Sequence, residues 1–232
     1  MRLDRFIAKH QSVSQRSART WIVAGRVRAN GNATAEHSTE VTRFDQIDLD
    51  EKTIQPAVER LYFMLNKPKG ILSATKDDQH TTVVDLTDHP EKATLHLAGR
   101  LDRSSTGLMI LTNDGNWSDQ LMQPDAKVPK SYLVETDRPI PEEAVELFAA
   151  GFEFPTEGIT TRPAQLTLLD SCRARVIIHE GRYHQIKRMF HRIDETRLVS
   201  LHRESIGDIH LPDDLATGEF RRLNQTEIKS IL

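Results

Sequence analysis

The 232-residue chain carries 31 Lys and Arg against 34 Asp and Glu, a net charge of −3, with 38% apolar and 28% charged residues; that balance suits a soluble globular protein and excludes a disordered one. No run of about 18 apolar residues occurs, so no membrane span is expected, and the charged start MRLDRFIAKHQ lacks the apolar core of a secretory signal. Cys172 is the only cysteine, which excludes an internal disulfide, a thiolate zinc site and an iron–sulfur cluster, and fits a reducing cytoplasm.

Residues 1–44 hold eight Lys or Arg and three acids, a local charge of +5. Leu3, Phe6 and Ile7 share one helical face, and Ala18, Trp21 and Ile22 share another, so two short helices are expected. Ser14 is placed to cap the second and Gly25 to end it. Arg16 and Arg19 fall off its apolar stripe and should face solvent. Residues 26–29 are strand-like, and Asn30-Gly31 is a tight-turn signal. Ile47 and Leu49 alternate with acids in another short strand, and residues 50–60 read as a linker.

From Tyr62 the pattern changes. Short apolar runs recur at 62–65, 94–98, 108–111, 132–136, 166–169, 176–178, 198–201 and 220–223. Helical stretches interrupt them at 116–122, at 141–150, where a proline and two glutamates suit a helix start, and at 183–193. The last carries Ile186, Met189 and Phe190 on one face, with Lys187 and Arg188 off it. Strands outnumber helices without regular βαβ alternation. The expected class is α+β: a small N-terminal α/β module and a larger domain with a mixed, mainly antiparallel sheet flanked by helices. Residues 173–203 form a second basic island of +5, leaving −13 for the remainder. Two basic islands in an acidic body are a footprint for a polyanion, because charge acts locally.

Familiar cofactor signatures are missing. No Gly-x-Gly, Walker loop or Gly-x-Ser-x-Gly elbow occurs. The nearest approach to a metal site, His179 and His184, has a spacing of five with Gly181 between, where four would align ligands on one helical face. One loop is unusual: Gly99-Arg100-Leu101-Asp102-Arg103-Ser104-Ser105-Thr106-Gly107-Leu108 lies between two apolar runs. Strand-flanked loops commonly display catalytic groups, and two arginines flank its single carboxylate, favouring the charged form of Asp102.

Gly-Arg-Leu-Asp followed by Thr106-Gly107-Leu108 resembles the catalytic-aspartate motif of the pseudouridine synthases. Asn66-Lys67-Pro68-Lys69-Gly70, Lys130-Ser131-Tyr132 and the run from Glu180 to Met189 are similar to the other three motifs of that family, in family order. The N-terminal segment, with Ser14-Gln15-Arg16-Ser17-Ala18-Arg19 and Gly25-Arg-Val-Arg-Ala-Asn-Gly, resembles an S4-like RNA-binding module. The resemblance implies an S4-like domain at 1–58 and a catalytic domain at 59–232. It implies Asp102 as the catalytic aspartate, Tyr132 as the ring that stacks on the target base, and Lys187 where most relatives pair an arginine with the aspartate. Arg100, Ile178, Leu223, Arg182, Gln185 and Arg188 would bind substrate, and Arg2, Arg5, Arg16, Arg19, Arg26 and Arg28 would bind RNA. The module and the variant run Tyr183-His184-Gln185-Ile186-Lys187-Arg188-Met189-Phe190 are most similar to members acting on small-subunit rRNA. The implied reaction converts a uridine, position 516 of 16S rRNA, to pseudouridine with no metal and no cofactor. The partner would be that rRNA or an assembling subunit, met by a cytoplasmic monomer. A large-subunit target, or a non-catalytic assembly factor on the same scaffold, are the competing expectations.

Overall fold

The computed structural model describes residues 1–34, 36–123 and 128–231. The chain divides into two compact units, Met1–Arg60 and Leu61–Leu232.

In the first unit, α1 (Leu3–His10) and α2 (Gln15–Val23) precede β1 (Val27–Ala29), β2 (Asn32–Ala33), β3 (Ile47–Leu49) and β4 (Lys52–Gln55), and the sheet order is β2-β1-β3-β4. Ser14 caps α2 by accepting a bond from the Ser17 amide at 3.0 Å. Helices of eight and nine residues cannot hold themselves in water. They are fixed by burying Leu3, Phe6, Ile7, Ala18 and Ile22 against Val27, Ile47 and Leu49. Asn30 and Gly31 both have positive φ, as the tight hairpin between β1 and β2 requires.

The expected linker at 50–60 is corrected by the structure, because its first half is β4, paired antiparallel with β3. Asp50 and Glu51 both adopt positive φ to make the turn. Asp-Glu is a poor sequence signal for such a turn. Here Arg26 holds the Asp50 carboxylate through two bonds of 2.8 and 2.5 Å.

The second unit is built on β5 (Tyr62–Lys67), β6 (His96–Leu97), β7 (Thr106–Thr112), β8 (Lys130–Thr136), β9 (Glu153–Phe154), β10 (Ile159–Thr160), β11 (Gln165–Leu168), β12 (Arg173–Ile178), β13 (Leu198–Ile206), β14 (Ile209–His210) and β15 (Phe220–Arg222). Its helices are α3 (Gly115–Met122), α4 (Ala144–Ala150), α5 (Gln185–His191) and α6 (Gln225–Lys229). The main sheet runs β11-β12-β8-β13-β7-β5-β15, with β14 on β13 and β6 on β7. Its pairs are antiparallel except β13 with β7. The sheet is therefore mixed and mainly antiparallel.

Both faces of the central strands are covered, which is why β5 and β7 read as unbroken apolar runs rather than alternating ones. Phe63, Leu65, Met109, Leu111, Tyr132 and Ile178 meet Phe148 of α4 and Ile186, Met189 and Phe190 of α5 on one face. Met64, Leu108, Ile110 and Leu223 meet Trp117 and Leu121 of α3 on the other. Burial of Ile186, Met189 and Phe190, at about 1.5–3 kcal/mol each, is what holds the seven-residue α5 and so aims Lys187.

Two helices start later than expected, α4 at Ala144 and α5 at Gln185, leaving Tyr183 outside the helix. The β9–β10 hairpin and α6 had no expectation at all. Across the sheet the register aligns Lys67, Gly107, Arg203 and Tyr132 in one row. Gly107 has φ +99°, and a Cβ there would lie 2.4 Å from the Arg203 carbonyl oxygen. Only glycine lets β7 and β13 approach at this point.

Candidate active site

Asp102 sits in the loop between β6 and β7, and that loop is tied down from three sides. Ser73 Oγ donates to the Leu101 carbonyl at 2.6 Å and accepts from the Leu101 amide at 3.1 Å. Arg103 Nε donates to the Gly70 carbonyl at 2.9 Å, and the Gly70 amide returns a bond to the Arg103 carbonyl at 2.8 Å. From beneath, Lys67 Nζ donates to the Ser105 carbonyl at 2.8 Å. Arg203 Nε donates to the Leu108 carbonyl at 2.7 Å, and its Nη1 lies 3.5 Å from the Arg100 carbonyl.

The carboxylate itself is clasped by α5. Lys187 Nζ is 2.5 Å from Asp102 Oδ2 and 3.0 Å from Ser104 Oγ. His184 Nε2 lies 3.3 Å from Oδ1, so each carboxylate oxygen has its own partner. This corrects the expectation that Arg100 and Arg103 support Asp102. Successive side chains of an extended loop diverge: Arg103 turns to Gly70, and the side chains that contact Asp102 come from residues 82 and 85 positions later.

Asp102, Tyr132, Lys187, Arg100, Ile178, Arg182 and Gln185 line one cavity of about 100 Å³. Leu101, Ile186 and Leu201 complete its apolar lining. A wider cleft of about 730 Å³ adjoins it and adds Arg103, Lys130, Tyr183 and Arg203. Gln185 is buried and donates to Glu180 Oε1 at 2.8 Å, while Arg182 Nε reaches Glu180 Oε2 at 3.0 Å. Glu180 thus holds both in place.

Two expected substrate contacts are corrected. Leu223 is buried with Met64, Leu108 and Trp117 on the far face of the sheet, away from this cavity. Arg188 stacks 3.7 Å over the Phe154 ring and pairs with Glu157 at 2.9 Å. One helical position beyond Lys187, it faces another way.

Lys67, Lys130 and Arg203 are buried, and among the described residues none pairs with a carboxylate. Burial pulls the Lys67 ammonium down to about 8; the charge of Asp102 opposes this and Arg203 adds to it. Burial and then Arg203 also lower Lys130. His184, Lys67 and Arg203 were not singled out from sequence as site residues. His184 and Lys67 each lie within one of the family-like motifs, and His184 is also weighed there as a metal ligand, but neither motif assigns them a role in the site. Among the described residues no group of three or more His, Cys, Asp or Glu is placed to hold a metal, and no helix is long and apolar enough to cross a membrane.

In the first unit, Arg2 and Arg19 converge on the buried Asp4 at 3.0 and 2.8 Å. Arg26 pairs with Asp50 and lies 4.8 Å from the Trp21 ring. Arg19 is exposed, as its helical position suggests, but its Nε is engaged by Asp4. Arg5, Arg16 and Arg28 are exposed.

The family of RNA pseudouridylate synthases matches residues 61–192. The ribosomal small subunit pseudouridine synthase A of Pseudomonas aeruginosa is 46% identical over 231 residues, covering all of both chains. The protein of the same description from Escherichia coli (strain K12) is 39% identical over 232 residues, again covering both completely. A solved crystal structure of a pseudouridylate synthase, 37% identical, superposes with a TM-score of 0.73 over the whole of each chain. Matched over more than half its length by the family and over its full length by these relatives, the chain belongs to the RNA pseudouridylate synthases.

Proposed function

We propose that this enzyme isomerises a uridine of small-subunit ribosomal RNA, position 516 of 16S rRNA, with Asp102 as its catalytic carboxylate. The observation that carries the reading is the clasp of Asp102 by Lys187 and His184 in a cavity shared with Tyr132 and Ile178. Full-length similarity to proteins described as small-subunit synthases supports the choice of RNA.

The reaction breaks the bond from ribose C1′ to uracil N1, turns the base, and joins C1′ to C5; the C5 proton leaves and N1 ends protonated. It is redox-neutral and asks for a carboxylate to attack or to move a proton. Asp102, held at both oxygens, presents that group in a fixed orientation. The target base must leave its stack, and Tyr132 with Ile178 offers it an aromatic and an apolar wall. Arg100 and Arg182, exposed at the cavity mouth, meet phosphates, which position RNA without reading its sequence. Residues 1–58 serve as an S4-like docking domain ahead of the catalytic domain at 59–232. The protein works as a cytoplasmic monomer, its exposed large apolar side chains being scattered along the chain.

Replacing Asp102 with Asn and assaying tritium release from 5-tritiated uridine in 16S rRNA tests this. Release should fall at least about 100-fold. Undiminished release would sink the assignment. Pseudouridine mapped in large-subunit rRNA alone, in cells regaining the protein, would reassign the substrate.

A further inference from the structure

At 76% exposure Tyr183 is the most exposed of the large apolar side chains in the described residues. It stands at the rim of the cleft that holds Asp102, beside Arg100, Arg103 and Arg182. Its ring stacks on the imidazole of His184, with centroids 3.9 Å apart and planes 19° from parallel. His184 is fixed in turn: its Nε2 lies 3.3 Å from Asp102, and its backbone is left-handed at φ 48°. Such a conformation in a residue other than glycine persists only where its surroundings enforce it. One ring face of Tyr183 is therefore covered by a side chain that touches the catalytic carboxylate, and the rest of the ring stands open to the cleft.

An aromatic held flat at the mouth of a basic cleft has the form of a stacking platform for unpaired nucleic acid, where every base offers a π-face. We propose that the open face of Tyr183 stacks the nucleobase next to the target uridine, as a second platform distinct from Tyr132. The occupant is an unpaired base of the RNA, and the arginines beside it are complementary to the flanking phosphates. The stack pins the neighbour at a fixed distance from Asp102, through His184, while the target turns. This site rests on the uridine-isomerase reading given above.

The test uses the full-length protein and an rRNA fragment carrying 2-aminopurine in place of the nucleotide on either side of the target. The wild type and Tyr183→Phe should quench the fluorescence of one of the two probes on binding. Tyr183→Ala and Tyr183→Leu should lose that quenching and raise Kd and KM about tenfold or more, with a smaller effect on kcat. The Leu variant keeps apolar bulk but has no π-face, so it separates stacking from burial. Wild-type quenching and Kd in the Ala and Leu variants would overturn the proposal. So would a fall in kcat with binding and quenching intact, which would make Tyr183 a mere prop for His184. Binding is read independently of turnover. A wild type that binds and quenches yet releases no tritium would refute the isomerase reading and leave the platform standing.

Discussion

Asp4 in the first unit and Lys67 in the second are both charged side chains with no exposed surface, and they are held in opposite ways. Asp4 Oδ2 accepts bonds from Arg2, Gln15 and Arg19 at 2.8–3.0 Å. Lys67 has only backbone carbonyls: Ser105 at 2.8 Å, Pro68 at 3.1 Å and Arg103 at 3.5 Å. The paired anion fastens α1 to α2 and consumes two arginines in doing so. The unpaired cation fastens a loop. An unpaired buried charge costs stability, and here that cost falls under the residues that carry Asp102. Charge in the first unit serves the fold first, whereas buried charge in the second serves the site.

The largest effect expected from breaking this contrast is Asp4→Ala, which deletes three charge-assisted bonds and should destabilise the first unit by about 4 kcal/mol. Hydrogen exchange by segment would show α1 and α2 losing protection while β7 keeps it. Equal loss in both segments, or none, would dissolve the distinction between the units.

That prediction was hidden from the sequence, where Asp4 is one of three acids among eight basic residues and two of its three partners lie 11 and 15 positions away. What was legible had local causes. Caps, turn pairs and apolar periodicity gave α1, α2, the Asn30-Gly31 hairpin and most central strands. Asp102, Tyr132 and Lys187 were legible as parts of ordered motifs. The support of Asp102 was not, because Lys67 meets Ser105 across 38 positions and Arg203 meets Leu108 across 95. Leu223 was misplaced for a related reason: an apolar residue in a sheet covered on both sides carries no label saying which face it takes. Asp50 and Glu51 form a turn by tertiary support from Arg26, against weak local preference.

Titration sharpens the contrast with opposite signs. Lys67 has its folded value near 8, below the usual 10.5 of a free lysine. The unfolded chain therefore binds the extra proton between these values, and stability should rise with pH from about 8 to about 10.5, by about 3 kcal/mol. Lys67→Met should flatten that rise in denaturant titrations; an unchanged slope would mean that burial of the ammonium is not what lowers it. Asp4 behaves in mirror image. Burial works against its ionisation, but bonds from Arg19, Gln15 and Arg2 prevail and hold it at about 2. Its contribution of about 2 kcal/mol is complete above pH 4 and drains away as pH falls toward 2. Asp4→Asn should remove this acid-side loss and leave the alkaline rise intact.

The smallest effect bears on RNA and divides the arginines of the first unit. Arg2 and Arg19 are engaged with Asp4 and Arg26 with Asp50, whereas Arg5, Arg16 and Arg28 are exposed and among the described residues have no salt bridge. An arginine that meets a phosphate releases counterions on binding, so its loss reduces the slope of log K against log salt by about 1. Arg5→Ala, Arg16→Ala and Arg28→Ala should each do so with unchanged melting. Arg2→Ala and Arg19→Ala should instead lower the melting temperature and change the salt slope less. If all five altered the slope alike and none moved the melt, the Asp4 cluster would be a phosphate-binding surface rather than a fastening within the fold.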